Sequence, residues 1–239
     1  HCRHLTGVSP YEYGEHHVRD KKTLQERYNL LKQHDPIGLF VPESQKLGGF
    51  GFKDNGLIYN VDTLKYYESI LTLYKSNYLQ PFIESDDRLT VLEIGGGWGG
   101  LSYQFNTLFP NTTYVIIDLP QVLLFSATYL RVHFPEAKCL MYNGPKDANI
   151  DKKYDFIFLP HYCLPELSGR IDLAVNTVSF QEMSSDQVEN YCKKLHELKC
   201  PRLYSFNRYQ NLNNMNLGVL SKIIGKYYKL KLFEADFLQ

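Results

Sequence analysis

Five of the six residues from Gly95 to Gly100 are glycine, broken only by Trp98, and Glu93 stands two positions ahead of the first. Glycines at this density let a backbone take positive φ and approach a ligand closely. A helix that begins there presents unpaired amides and a partial positive charge, which suits a carboxylate or another anion. Gly95, Gly97 and Gly100 also satisfy the dinucleotide pattern GxGxxG, a weak signal by itself. Two neighbours sharpen it. Glu93 would set a second negative charge beside a pyrophosphate, yet it welcomes a ligand that carries an ammonium and a sulfonium, as S-adenosylmethionine (SAM) does. Asp118, about 25 residues later, can accept both hydroxyls of a ribose in a bidentate pair. An NAD-dependent oxidoreductase would share the glycines and Asp118, and Glu93 argues against it.

The elements that must position these groups follow from periodicity. Residues 1–87 read as a helical cap. Apolar residues recur at helical spacing over 23–33, and Asp35-Pro36 stops that helix. An irregular Gly-rich stretch, 47–52, ends in the turn signal Asp54-Asn55-Gly56, and its glycines suggest a flexible lid. A helix over 62–79 follows, with Asp62 as its expected N-cap. From residue 88 to 239 the rhythm is that of short apolar strands alternating with helices. Strands are expected at 89–94, 114–118, 138–142, 154–159, 171–177, 202–206 and 228–233. Helices are expected near 99–109, 121–134, from Ser184 or Ser185 to 198, and 217–224. This pattern predicts an α/β fold with a doubly wound, mostly parallel seven-stranded sheet flanked by helices. Ligands of such sheets bind at the carboxyl ends of the strands, beside the switch in strand order. Glu93–Gly100 and Asp118 fall there.

Composition excludes some partners. With 26 basic and 26 acidic residues the formal net charge is zero, so nothing global attracts nucleic acid or an anionic membrane. No apolar run approaches the length of a membrane span or forms a signal peptide, which predicts a soluble protein without membrane insertion. The five cysteines are scattered and form no CxxC pair, as expected of reduced thiols in a cytoplasmic protein. His1, Cys2, His4, His16 and His17 match no metal-ligand spacing. The chain begins with histidine rather than methionine, which leaves room for a missing partner domain or a homo-oligomer.

The segments VLEIGGGWGG and YVIIDLPQVL resemble the first two motifs of Rossmann-like SAM methyltransferases. Together with FIFLPHYCLPEL, DLAVNTVSFQEM and LYSFNRYQ, they resemble the sugar O-methyltransferase family over about residues 48 to 208, most specifically at NTVSFQEM. The resemblance implies a SAM-dependent O-methyltransferase acting on a sugar hydroxyl, of a nucleotide sugar or a glycan unit, with S-adenosylhomocysteine (SAH) as product. The alternatives are a methyltransferase for another small molecule, such as a phenolic natural product, and a non-catalytic nucleotide-binding module. It implies further that Glu93, Gly95 and Gly97 hold the methionine part, with Gly96 and Trp98 beside the cofactor, where Trp98 either packs over it or anchors the helix, that Asp118 holds the ribose and that Leu119 packs on the adenine. The adenine pocket closes either with Asn143, after 138–142, or with Leu159, Pro160 and His161, and the similarity favours the second.

Methyl transfer to a hydroxyl is an in-line displacement that needs the acceptor oxygen aligned and its proton removed. Glu182 is the first candidate base and His161 the rival, since an imidazole suits neutral pH. Asn176, Gln181, Asn207 and Arg208 are expected to hold substrate hydroxyls, with Ser179 and Tyr204 beside them. Tyr59, Tyr66 and Tyr67 offer rings on which a sugar could stack. A divalent metal would need clustered carboxylates at the strand ends, and only Asp118 and Glu182 stand there, so a divalent metal stays open as a cofactor but is not favoured.

Overall fold

The computed structural model describes residues 18–207 and 217–231. Helix α1 (Val18–Gln33) buries Leu24 and Leu31, two turns apart on one face. Asp35 closes it by accepting the amides of Gly38 and Leu39, and its Oδ2 also takes the Tyr67 hydroxyl at 2.7 Å. The irregular stretch 47–52 leads into an antiparallel hairpin, β1 (Phe52–Asp54) and β2 (Leu57–Tyr59), that turns at the expected Asn55-Gly56. Three residues a side are too few to show alternation, but the Asn55-Gly56 turn has positive φ at both positions, as a tight hairpin requires. Helix α2 (Val61–Lys75) is capped by Asn60, not by Asp62. Asn60 is extended, its Oδ1 accepts the Thr63 amide at 2.8 Å, and Thr63 Oγ1 accepts the Asn60 amide at 3.3 Å. That reciprocal box leaves the Asp62 carboxylate available to other partners. The helix ends at Lys75, before Asn77 at φ +62, and a short helix α3 (Gln80–Glu84) follows.

The remainder alternates as expected: β3 (Leu89–Ile94), α4 (Gly100–Leu108), β4 (Thr112–Asp118), α5 (Pro120–His133), β5 (Cys139–Met141), β6 (Phe156–Pro160), β7 (Leu173–Thr177), α6 (Ser185–Glu197), β8 (Leu203–Phe206) and α7 (Leu217–Gly225). Ser184 caps α6 in a reciprocal box with Gln187. The six long-chain strands form one sheet in the order β5-β6-β4-β3-β7-β8, with every neighbouring pair parallel. A seventh strand over 228–233 is not present in its described part. The amides of Lys226, Tyr227 and Tyr228 turn back to the carbonyls of Ile223 and Ile224, so they close α7 instead of joining the sheet.

The central strands are buried on both faces, which is why they read as unbroken apolar runs. Val91, Tyr114, Ile116, Phe158 and Val175 face α2, α4 and α5, and their core continues into α1. Leu92, Ile94, Val115, Ile157 and Ala174 face α6 and α7. The chain winds outward from β3 through β4 in one direction and returns on its other side as β7 and β8. The switch in strand order therefore lies between β3 and β7, where a ligand crevice belongs.

Replacing Asn60 by alanine removes the α2 cap and its second bond, Nδ2 to the Phe50 carbonyl at 2.8 Å. The expected loss is about 1–2 kcal/mol in urea unfolding, whereas Asp62→Ala should leave the cap intact.

Candidate functional site

A cleft of about 1630 Å³ opens over the carboxyl edge of the sheet. Single ligands of drug size occupy roughly 300–1,000 Å³, so this space suits two small molecules side by side. Its floor is the glycine turn. Gly95 and Gly97 have φ of +74° and +56°, and the Gly95 amide donates to the Ile117 carbonyl at 2.9 Å. A side chain at Gly95 would strike Ser179 Oγ at 2.2 Å, while one at Gly97 would meet nothing within 4 Å. The turn is thus pressed against the loop after β7 on one side and open to the cleft on the other. Asp118, at the end of β4, fixes it: Oδ2 accepts the Gly97 amide at 2.9 Å and Oδ1 the Leu119 amide at 2.7 Å. Burial raises the Asp118 carboxyl pKa, opposed by those two amides and by the positive potential of His161. Each oxygen keeps a lone pair for a further donor.

Glu93 lies directly beneath the turn. It is 1% exposed, and a side chain at Gly96 would meet its Oε2 at 3.3 Å. That Oε2 has no hydrogen-bond partner, and burial pushes the carboxyl up to about 8, with Tyr114 and Lys65 opposing and Asp118 adding to the rise. A buried carboxyl with one oxygen left open under a glycine turn ionises readily only when a cation comes to it.

The ends of β7 and β8 are bracketed by amides. Asn176 is fully buried; its Nδ2 donates to the Ile94 carbonyl at 2.9 Å and to Ser179 Oγ, and its Oδ1 accepts from Asn207 Nδ2 at 3.0 Å. Asn207 Oδ1 in turn accepts the Gln181 amide at 3.2 Å. Asn176 and Asn207 were expected to hold substrate, but both are spent holding the loops and neither lines the cleft. Gln181 and Glu182 do line it, and Gln181 Nε2 donates to Glu182 Oε1 at 3.0 Å. Arg208 lies outside the described residues. Val178, between them, takes φ +63. A β-branched residue there is strained, and such strain gathers at functional sites.

On the other side of β3, Pro160 pairs in register with Asp118, so β6 and not the edge strand β5 supplies the neighbouring loop. Pro160 is buried below the cleft, whereas His161 and the half-exposed Leu119 line it. Trp98 lines it too, and its Nε1 donates to Asp62 Oδ2 at 3.3 Å. That bond ties the glycine turn to α2. The cap contributes more than expected: Asp62, Lys65 and Tyr66 of α2 and Arg27 of α1 are all on the cleft wall. Tyr59 and Tyr67 are core residues instead. Nothing of the Gly-rich loop at 47–52 reaches the cleft, and Lys46 holds that loop to the Val132 carbonyl of α5 at 3.2 Å. Among the described residues no group of three His, Cys, Asp or Glu is placed to hold a metal, and no helix is long and apolar enough to cross a membrane.

No family model matches the chain, and no curated protein matches it. Solved structures do resemble it. Magnesium protoporphyrin IX methyltransferase from Synechocystis PCC 6803, with bound SAH, is 11% identical over 84% of this chain and 88% of its own, at a TM-score of 0.46. A protein assigned as a sarcosine dimethylglycine methyltransferase from Galdieria sulphuraria is 8% identical over 84% and 72%, at 0.48. The pyocyanin biosynthetic protein PhzM is 14% identical over 65% of this chain and 44% of its own, at 0.36. The chain thus spans less than half the length of PhzM. Likenesses this distant decide neither cofactor nor reaction, which rest on the residues of the cleft.

Because the folded state lifts the Glu93 pKa, its contribution to stability is present below the unfolded carboxylate value and is lost as pH rises through about 8. Urea unfolding of Glu93→Gln and of the unaltered chain should therefore diverge with pH, the variant gaining on the order of a few kcal/mol between pH 5 and pH 9. A pH-independent difference would show that Glu93 is not buried as described.

Proposed function

We propose that this chain is a SAM-dependent O-methyltransferase whose acceptor is a sugar hydroxyl, in a nucleotide sugar or a glycan unit. The observation that carries the reading is the Asp118 clasp on an open glycine turn with the buried Glu93 behind it. The three parts match the three parts of the cofactor. Asp118 has lone pairs left for the ribose hydroxyls, Leu119 offers its exposed side chain to the adenine, and Gly95–Gly97 leave backbone room for the methionine end. Glu93 is a buried acid whose ionised form an ammonium and a sulfonium would favour, so cofactor binding and loss of its proton support each other. A pyrophosphate would meet the same buried carboxyl with the wrong sign, which disfavours a dinucleotide.

When bound, SAM supplies a methyl group on a good leaving group. The chain's own task is to hold the acceptor oxygen in line and take its proton. With the ribose at Asp118 and the methionine end on the glycine turn, the reacting centre falls towards β7, on the side of Gln181 and Glu182. Glu182 is then the base, oriented by Gln181. His161 follows β6, on the adenine side, and serves the cofactor. A polar wall of Gln181, Glu182 and Asn190 fits a hydroxyl-rich acceptor better than a flat phenol.

Calorimetric titration with SAH, SAM and NAD tests the reading. SAH and SAM should bind and NAD should not, and Asp118→Ala should lose the adenosyl ligands. Glu182→Gln should keep its SAH affinity while methyl transfer to sugar acceptors falls by about 10²–10⁴-fold. Binding of NAD alone would overturn the cofactor, and transfer only to phenols would overturn the acceptor class.

A further inference from the structure

Two ion pairs stand on α2 along the cleft. Lys65 bonds Asp62 at 2.7 Å, and Arg27, reaching across from α1, bonds Glu68. The second pair sits beside β8, since Tyr204, paired with Val175 in that strand, lies among Glu68, Ser69 and Thr72. His161 and the adenine side are across the sheet, beyond β4. This end of the cleft therefore belongs to the acceptor.

Both pairs have the same polarity. The Arg27 side chain is 24% exposed and that of Glu68 only 3%, while Lys65 is 23% exposed and Asp62 12%. Both cations line the cleft, as does Asp62, whereas Glu68 stands behind Arg27. An ion pair serving only to join two helices has no need to turn its guanidinium to a cleft wall, and Arg27 is on that wall while Glu68 is not. Glu68 accepts from Nη2 and Nε is buried without a partner, so Glu68 fixes one edge of the planar group and the Nη1 side is left for a ligand. The platform beneath is stiff. Tyr28, the next residue of α1, stacks on Tyr59 at 5.1 Å and meets Phe40 edge-on at 4.8 Å. A fixed guanidinium matches a phosphate or carboxylate better than it matches a hydroxyl.

We infer that Arg27, aimed by Glu68, recognises an anionic group on the acceptor, so that the sugar methylated here carries a phosphate or a carboxylate. This rests on the methyltransferase reading above and adds a specificity-determining residue to it. Lys65 adds positive potential nearer the glycine turn, since its partner Asp62 also accepts from Trp98. Arg27 bonds Glu68 and neither the glycine turn nor Asp118, so cofactor affinity is independent of Arg27.

The test is calorimetric titration of the SAH-saturated chain with methyl glucoside, glucose 6-phosphate, UDP-glucose and glucuronate. The neutral glycoside gives the baseline, and the other three separate a phosphomonoester, a diphosphate and a carboxylate. At least one anionic sugar should bind about tenfold or more tightly than the neutral one. Arg27→Gln should abolish that preference and leave SAH affinity unchanged, while Arg27→Lys keeps part of it. If the single variant fails to fold because Glu68 is left buried without a partner, the double variant R27Q/E68Q replaces both charges by amides and answers the same question. No preference for an anion in the unaltered chain, or a preference that persists without Arg27, overturns the inference. Failure of SAH to bind the unaltered chain overturns the cofactor reading beneath it.

Discussion

A parallel sheet leaves the carbonyls and amides at its carboxyl edge without partners, and the loops there must be fastened by side chains. Asp118 and Asn176 do that fastening. Asp118 draws the Gly97 and Leu119 amides together over the end of β4. Asn176 spans the switch in strand order, taking the Ile94 carbonyl across β3 and tying Ser179 and Asn207 to it. Ser179 also donates to Ile94 at 2.8 Å and stops the glycine turn from below. The crevice that remains has rigid walls before any ligand arrives, and the strained Val178 persists because this bracket over-determines it.

The same edge carries a local conflict. Glu93 interrupts an apolar strand with a carboxyl that burial leaves without a full complement of bonds. Local burial disfavours it, and a ligand with positive charge relieves it. Sites that break the rules of good packing are where function is expected. The N-terminal helices belong to the same design. Their core is continuous with one face of the sheet, and the Trp98–Asp62 bond, with the Trp98 ring against Tyr66 and Tyr129, holds α2 to the glycine turn. The cap thereby becomes a wall of the cleft rather than a cover over it.

Much of this was legible in the residues. Unbroken apolar runs located the four central strands, because burial on both faces demands them, and glycine spacing located the turn. A cap at Ser184 or Ser185 was readable because a serine before a charged, periodic run has few other uses, and the structure selects Ser184. Other features were ambiguous in physical terms. An asparagine at a strand end can face a ligand or bracket its neighbour, and the sequence does not say which; Asn176 and Asn207 bracket. Asn60 and Asp62 are equally good caps, and only the backbone angles separate them. Arg27, Lys65 and Asp62 carried no signal, since which face of α1 or α2 meets the cleft depends on how the cap docks.

The central claim is that one ligand spans Asp118 and the glycine turn above Glu93. A crystal structure of the chain with SAH tests it most directly. The account predicts both ribose hydroxyls on the Asp118 carboxylate, the amino-acid end against Gly95–Gly97, and open space beside Glu182 for an acceptor. An adenosyl group bound elsewhere in the cleft, or an amino-acid end pointing away from the glycine turn, would contradict it.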